Sequence, residues 1–200
     1  MFTGIVTDVG TVRRVASDAS TRFEIATSYD LATVAMGASI ACAGVCLTVV
    51  EKGADSFAVE VSNETLAHTT LGDWVAGRRI NLERPLCAGD ELGGHIVSGH
   101  VDAVSELLSR APDGDSVRFV FALPASLAMF IAPKGSVTID GVSLTVNEVE
   151  EGSFGVNLIP HTLEVTSLGA LQVGHRVNLE IDLVARYLAR MIRPELMRVA

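Results

Sequence analysis

Apolar and polar residues alternate along most of the chain in short runs. "SFAVEV" (Ser56–Val61), "VRFVFAL" (Val117–Leu123) and "SFGVNLI" (Ser153–Ile159) switch at nearly every second residue, and Gly, Asp and Ser interrupt them. A period of two sends successive side chains to opposite faces of a strand, so these runs predict half-buried β-strands. Two short helices are expected at "NETLAHTTLG" and "PHTLEVTSLG", with Ser62 or Asn63 capping the first and Gly72 and Gly169 ending the two segments. The pattern changes only at the end. "DLVARYLARMIRPEL" places Val184, Tyr187, Leu188 and Met191 on one apolar stripe, with arginines on the other side. Asp182 is the expected N-cap and Pro194 the expected end. A lone helix below about 12 to 15 residues is marginal in water, so the stripe must pack on its own domain or on another subunit.

The strand pattern occurs twice. "SIACAGVCLTV" (Ser39–Val49) matches "SVTIDGVSLTV" (Ser136–Val146), and "NETLAHTTLGDWVAGRRINLERPL" (Asn63–Leu86) matches "PHTLEVTSLGALQVGHRVNLEIDL" (Pro160–Leu183), both at an offset of 97, with about twenty identities over Ser39–Leu86. Nearer the start the offset relaxes: "FTGIVTDVGTV" faces "VSGHVDAVSEL". A mostly β unit of about 90 residues must hide its sheet edges, and closing into a small barrel does so. The expected architecture is all-β: two tandem six-stranded barrels over residues 1–89 and 90–183, joined through the Gly-rich "RPLCAGDELGG", then a helix over residues 184–200.

Composition then removes several function classes. The net charge of -9 and 5% aromatic content would repel a phosphate backbone and offer few stacking platforms, so nucleic acid is not an expected partner. No apolar run approaches the roughly 18 to 20 residues needed to cross a bilayer, and no leader is evident, so a cytoplasmic location is expected. Cys42, Cys46 and Cys87 are odd in number and form no CxxC pair, as suits free thiols in a reducing compartment. A small-molecule partner remains.

Duplicated barrels suggest two similar pockets, and the differences between copies then assign roles. Cys46 faces Ser143, His100 faces Ile5, Lys134 faces Met36, Asp182 faces Pro85 and His161 faces Glu64, whereas Ser39/Ser136, Thr48/Thr145 and Thr65/Thr162 are identical. The central "GGHIVSGHVD" (Gly93–Asp102) holds two histidines five residues apart, on opposite faces if the strand is continuous, and no Cys or carboxylate set completes a tetrahedral site, so a metal is not expected. His95 either satisfies a backbone group at the junction or serves a pocket; Cys46 is either a core thiol or a pocket group. Lys134 is a turn residue or a ligand contact, Asp182 a helix cap or a site carboxylate. Thr48 and Thr145 either pair across strands or reach a ligand.

"MFTGIV", "GVCLTV", "DGVSLTV", "GGHIVSGHVD" and the "TL...T.LG...G..VNLE" segments together resemble the α-type riboflavin synthase family, from Met1 to about Met191. The resemblance implies Greek-key barrels and a C-terminal helix that joins three chains. It implies a cofactor-free transferase that dismutates two molecules of 6,7-dimethyl-8-ribityllumazine into riboflavin and 5-amino-6-(D-ribitylamino)uracil, between the N-terminal barrel of one subunit and the C-terminal barrel of the next. Lumazine synthase also comes into view as a partner.

The family's sites carry over by position. Phe2, Ser39, Cys46, His95, His100 and Asp182 match positions associated with activity. Gly4, Ile5 and Val6 with Cys46, Leu47 and Thr48 match one pocket wall pair, and Glu60, Val61, Ser62, Asn63, Glu64 and Thr65 its ribityl-binding edge. The second set is Gly99, His100 and Val101, Ser143, Leu144 and Thr145, and Ile159, Pro160, His161, Thr162, Leu163 and Glu164, with Lys134 added. Ala43 departs from the polar residue many relatives carry. Antenna-type lumazine- or flavin-binding proteins share the duplicated barrels and supply a non-catalytic alternative; the intact "GGHIVSGH" argues for the enzyme. A ferredoxin-reductase-type barrel would need an attached βαβ domain, which the chain lacks.

Overall fold

A computed structural model describes residues 1–17 and 20–192. Twelve strands form two closed antiparallel barrels. The first contains β1 (Asp8–Ser17), β2 (Thr21–Ala26), β3 (Ser39–Cys42), β4 (Val45–Lys52), β5 (Ser56–Val61) and β6 (Arg79–Glu83) in the order β1-β2-β5-β4-β3-β6. The second repeats that order with β7 (Ala103–Asp113), β8 (Ser116–Ala122), β9 (Ser136–Ile139), β10 (Val142–Glu150), β11 (Ser153–Leu158) and β12 (Arg176–Ile181). In each barrel three successive strands meander and an earlier strand lies beside the last of them, which is Greek-key order. The alternation maps onto the walls: Phe23, Ile25, Phe57 and Val59 fill the first core, and Phe119, Phe121, Phe154 and Val156 the second. Register slips recur at equivalent places, between Val49 and Glu51 in β4 and between Val146 and Glu148 in β10, where an extra residue lets the strand bend round the barrel.

The short helices are α1 (Asn63–His68) and α2 (Pro160–Val165). Ser62 caps α1, its hydroxyl accepting from the Thr65 N–H at 3.2 Å. Gly72 and Gly169 do not end these helices; they lie inside the 3-10 turns that follow, Thr70–Asp73 and Ser167–Ala170. A side chain there would meet the preceding helix, since a Cβ would stand 3.1 Å from the Leu66 carbonyl oxygen or 2.1 Å from that of Leu163. Close backbone approach, rather than a left-handed cap, selects glycine at both positions.

Two-residue hairpins join β3 to β4 at Ala43-Gly44 and β9 to β10 at Asp140-Gly141, all four residues at positive φ (47°, 79°, 45°, 81°) as a type I′ turn requires. The two tips meet where the barrels join. A Cβ on Gly44 would lie 2.7 Å from the Gly141 nitrogen. Around them runs a reciprocal polar clasp from the repeated "NLE" of β6 and β12. Asn81 Nδ2 donates to the Asp140 carbonyl (2.8 Å) and Asn178 Nδ2 to that of Ala43 (2.9 Å). The Asn178 side-chain oxygen accepts from the Thr70 N–H and that of Asn81 from the Ser167 N–H, both at 2.7 Å. Every member has its equivalent 97 residues away, so a pseudo-two-fold axis relates the barrels.

The clasp is asymmetric at Ala43 and Asp140. The Asp140 carboxylate accepts from the Asn178 backbone N–H at 2.8 Å, and full burial pushes its pKa up to about 7 against this bond and the nearby Arg78. Below about pH 4 the group is protonated folded or unfolded. Between there and about 7 only the folded chain keeps the proton, so Asp140 removes stability as pH rises through that window, by up to roughly 4 kcal/mol. Asp140→Asn keeps the acceptor and has no proton to lose. The urea unfolding free energy of the wild type is therefore expected to fall relative to that of Asp140→Asn between pH 4 and 7.5; a constant difference would refute this.

The chain end is α3, Leu183–Ile192. Asp182 caps it, accepting from the Val184 N–H at 2.8 Å. Ala189 is buried, whereas Val184, Tyr187, Leu188 and Met191 stay 55%, 62%, 51% and 78% exposed, so the helix leans on its own barrel with another face and leaves the stripe uncovered. Pro194 lies outside the described residues. No helix among the described residues is long and apolar enough to cross a membrane.

Candidate active site

The segments ahead of the two barrels do not stay with their own barrels. Phe2 and Val97, equivalent in the repeat, bond to each other through both backbone N–H groups at 2.8 and 3.0 Å, and each segment then crosses to the other barrel. The Gly4 carbonyl accepts from the Ser143 N–H at 2.8 Å and the Gly99 carbonyl from the Cys46 N–H at 2.9 Å. Val6 packs on the second core and Val101 on the first. Two buried carboxylates secure the crossing. Glu83 accepts from the Thr3 N–H, the Thr3 hydroxyl and the Gly4 N–H (2.7, 2.9 and 3.0 Å); Glu180 accepts from the Ser98 N–H, the Ser98 hydroxyl and the Gly99 N–H (2.8, 2.5 and 3.0 Å). Burial pushes the pKa of each upward and these bonds oppose it.

The crossing corrects the expected wall pairs. Within the chain Cys46 is met by Gly99 and shares its cleft with His100 and Val101, whereas Gly4, which heads the segment Gly4, Ile5 and Val6, faces Ser143. Sequence order could not show this, because an exchange of equivalent segments leaves the repeat pattern unchanged. The double-histidine stretch is also not a continuous strand: only Val97 makes an isolated bridge, so the expectation of opposite strand faces does not apply.

Near Cys46 lies a cleft of about 320 Å³, lined by Val45, Glu64, Thr65, His68 and Thr69 from the first copy and by Gly99, His100 and Val101 from the second. Cys46 is half-buried and Thr48, two residues on along β4, is exposed on the same face, opposite Ser39 of β3. Leu47 points into the core, as does Val61. Glu60, Ser62, Asn63 and Glu64 lie at the surface, where Glu64 Oε1 and His68 Nε2 stand 3.2 Å apart. His100 is exposed on the cleft wall. Its segment is tied down by Asp102, which accepts from the Ile181 N–H at 2.9 Å and from the Arg186 guanidinium of α3 at 2.6 Å.

The equivalent region around Ser143 carries a different histidine. His95 Nδ1 lies 2.7 Å from the Ser143 hydroxyl and Nε2 3.2 Å from that of the buried Thr138. Burial holds the His95 imidazole below its ordinary range, although the Asp182 charge acts the other way. A neutral ring supplies one donor and one acceptor, so it can take a proton through one nitrogen while the other is held by a hydroxyl. The His95 ring thus meets two side-chain hydroxyls rather than a backbone group; among the described residues no three His, Cys, Asp or Glu converge. Thr145 is exposed on the same face as Ser143, opposite Ser136 of β9, and Leu144 packs against the second core. Ile159, Pro160, His161 and Glu164 are exposed, Thr162 and Leu163 half-buried.

Lys134 sits at φ 67° and its N–H donates to the Val146 carbonyl at 2.8 Å. Gly37, at φ 80° and bonded to the Val49 carbonyl at 2.9 Å, is its structural counterpart, so the alignment against Met36 was one residue out. Phe2 is fully buried with Ala41 and Val97, a wedge under both crossing segments rather than an open wall. Residues not singled out in the sequence complete the region: Glu83, Glu180 and Thr138. The two glutamates carried a signal, since they recur at equivalent positions of the "NLE" runs, on the strand face opposite the core residues Ile80 and Leu82 or Val177 and Leu179; Thr138, which faces Ala41 in the repeat, carried none.

The lumazine binding domain model matches the chain twice, at residues 3–85 and 98–182. A protein named riboflavin synthase from Brucella abortus (strain 2308) is 53% identical over 197 residues, covering 96% of this chain and 98% of the relative. The chain belongs to the riboflavin synthase family. It is a transferase by that membership. Riboflavin synthase from Mycobacterium tuberculosis (strain ATCC 25618 / H37Rv) is 46% identical over 199 residues, with 96% and 98% covered. Among solved structures, LumP complexed with riboflavin superposes with a TM-score of 0.82 at 27% identity, and LumP complexed with 6,7-dimethyl-8-(1'-D-ribityl) lumazine with 0.81 at 25%; each covers 90% of this chain and 99% of the other. The duplicated Greek-key architecture of the riboflavin synthase family therefore covers both barrels of this molecule.

Proposed function

We propose that this protein takes two molecules of 6,7-dimethyl-8-ribityllumazine and transfers a four-carbon unit between them, giving riboflavin and 5-amino-6-(D-ribitylamino)uracil. The observation that carries the reading is the pair of equivalent but chemically unlike regions, Cys46 with His100 in one and Ser143 with His95 in the other. Like scaffolds hold like ligands, and unlike side chains give them the donor and acceptor roles a dismutation needs. The two ring carbons and two methyl carbons lost by one molecule complete the new ring of the other, so no outside oxidant is required.

The lumazine ring is its own electron sink, which makes its C7 methyl protons acidic for carbon-bound hydrogen. Neutral His95 and the hydroxyl of Ser143 are the groups placed to move a proton in one region; Cys46 and His100 are those in the other. Thr48, Thr145 and the helix starts at Ser62 and Pro160 present hydroxyls and N–H groups towards a ribityl chain. A positioned acid or base adds typically about 10²- to 10⁴-fold, whereas orienting two rings face to face is worth an effective molarity of up to about 10⁵ to 10⁸ M. Binding geometry is the larger share.

The two regions meet in an assembly, with the first barrel of one subunit facing the second barrel of its neighbour in a trimer held by α3. The exposed Val184-Leu188-Met191 stripe supports this. Deletion after Leu183 is expected to convert a trimeric mass in light scattering to a monomeric one; a full-length monomer would overturn the assembly. Lumazine incubated with the purified protein is expected to yield riboflavin absorbance. The LumP neighbours favour a binder as the second reading, and tight lumazine binding without turnover would select it.

A further inference from the structure

A cleft larger than the one beside Cys46 lies away from both Cys46 and Ser143. About 470 Å³ in volume, it lies where the barrels join, between the Ala43 and Asp140 hairpin tips, and is lined further by Arg78, Arg79, His175 and Arg176. These four come from "GRRINLE" and "GHRVNLE", the residues entering β6 and β12, so the repeat sends the same two positions from each copy into one concavity, and all four are basic types. That convergence stands out in a chain with 15 Lys and Arg against 24 Asp and Glu.

The local charge does not cancel. Asp73, also on the wall, is taken by Arg176 at 2.6 Å across the barrel junction. Asp140 is wholly buried and turned to the Asn178 N–H. Arg78 and Arg79 make no ion pair among the described residues. His175 accepts the Gln172 N–H at Nδ1 (3.2 Å), which leaves its Nε2 as the protonated nitrogen of the neutral ring. The cleft thus has Arg79 and Arg78 without an ion pair, Arg78 with only the buried Asp140 carboxyl near it, a third guanidinium whose partner is exposed and exchangeable, and an imidazole N–H. Its volume falls within the range of small-molecule sites, about 300 to 1,000 Å³. Guanidinium forks match phosphate oxygens in pairs, and a concave wall focuses their field.

We propose that this inter-barrel cleft is a second ligand site, one that takes a phosphate or polyphosphate group between Arg78, Arg79 and Arg176. It is separate from both regions assigned to the lumazine reaction and does not depend on that assignment. Because its walls belong to both barrels, an occupant braces them against each other at the Asn81 and Asn178 clasp.

The test is isothermal titration of the full-length protein with inorganic pyrophosphate, at constant ionic strength set with chloride. Saturable binding with a Kd at or below about 1 mM is expected. Arg78→Met/Arg79→Met is expected to weaken it at least about tenfold, the loss of charge-assisted bonds. Ala170→Glu removes no wild-type contact but places a carboxylate at the exposed rim, and the same loss is expected there with an unchanged melting temperature. Arg84→Met, remote from the cleft, is the control and should bind as the wild type does. Absence of saturable heat, or equal weakening by Arg84→Met, would overturn the proposal.

Discussion

Alanine at position 99 is expected to lower turnover of the lumazine at least about a hundredfold, because it forces apart the two segments that form the Cys46 cleft. Gly99 has φ +79°, and a Cβ there would lie 2.7 Å from Cys46 Cβ and 2.9 Å from its backbone nitrogen. Neither contact is the free end of a side chain. The Gly99 carbonyl bond to Cys46 and the Glu180 bonds to Ser98 and Gly99 resist movement from either side. The chain must shift by around an ångström, and displacement of that size can cost about 10² in rate. Gly114→Ala separates clash from backbone strain, since Gly114 also has positive φ (62°) but open space around it. That variant carries only the strain of a left-handed residue, about 1 to 2 kcal/mol, and should turn over normally. Steady-state kinetics and melting temperatures of both decide the matter. Wild-type turnover in Gly99→Ala would show that the crossing does not shape the site.

The second large effect is on stability. Asn178→Ala is expected to lower the unfolding free energy by about 2 to 5 kcal/mol in urea titration. Asn178 is 1% exposed, and its truncation strands the Ala43 carbonyl and the Thr70 N–H, both in buried residues of the other barrel. Each unpaired buried group costs roughly 1 to 3 kcal/mol. Both partners lie across the junction, so the loss should loosen one barrel from the other before either opens. Two separated unfolding transitions are expected for Asn178→Ala, and one for the wild type. A single transition with unchanged midpoint would show that the clasp adds nothing.

Much of this was legible in the residue pattern. Period-two runs such as "VRFVFAL" became β8, Ser62 and Asp182 became helix caps, and the offset of 97 reappeared as two barrels with the same strand order. These are local properties, or a property repeated, and a linear reading captures both. Other expectations needed correction for reasons that are not local. Gly72 and Gly169 serve close approach to an earlier helix, and Lys134 answers to Gly37 because both residues stand at positive φ.

Its own sequence thus determined which residues make strands, that the strands close twice, and which side chains distinguish one copy from the other; alternation and repetition are enough for that. Only the tertiary structure decided that Phe2–Val6 and Val97–Val101 exchange barrels, that His95 meets Ser143 while His100 joins Cys46, and that four basic residues from two copies share one cleft. The reason is physical. Exchanging equivalent segments between equivalent barrels alters neither the hydrophobic pattern nor the repeat, so the choice rests on contacts between residues some 80 positions apart, such as Glu83 with Thr3 and Glu180 with the Ser98 segment.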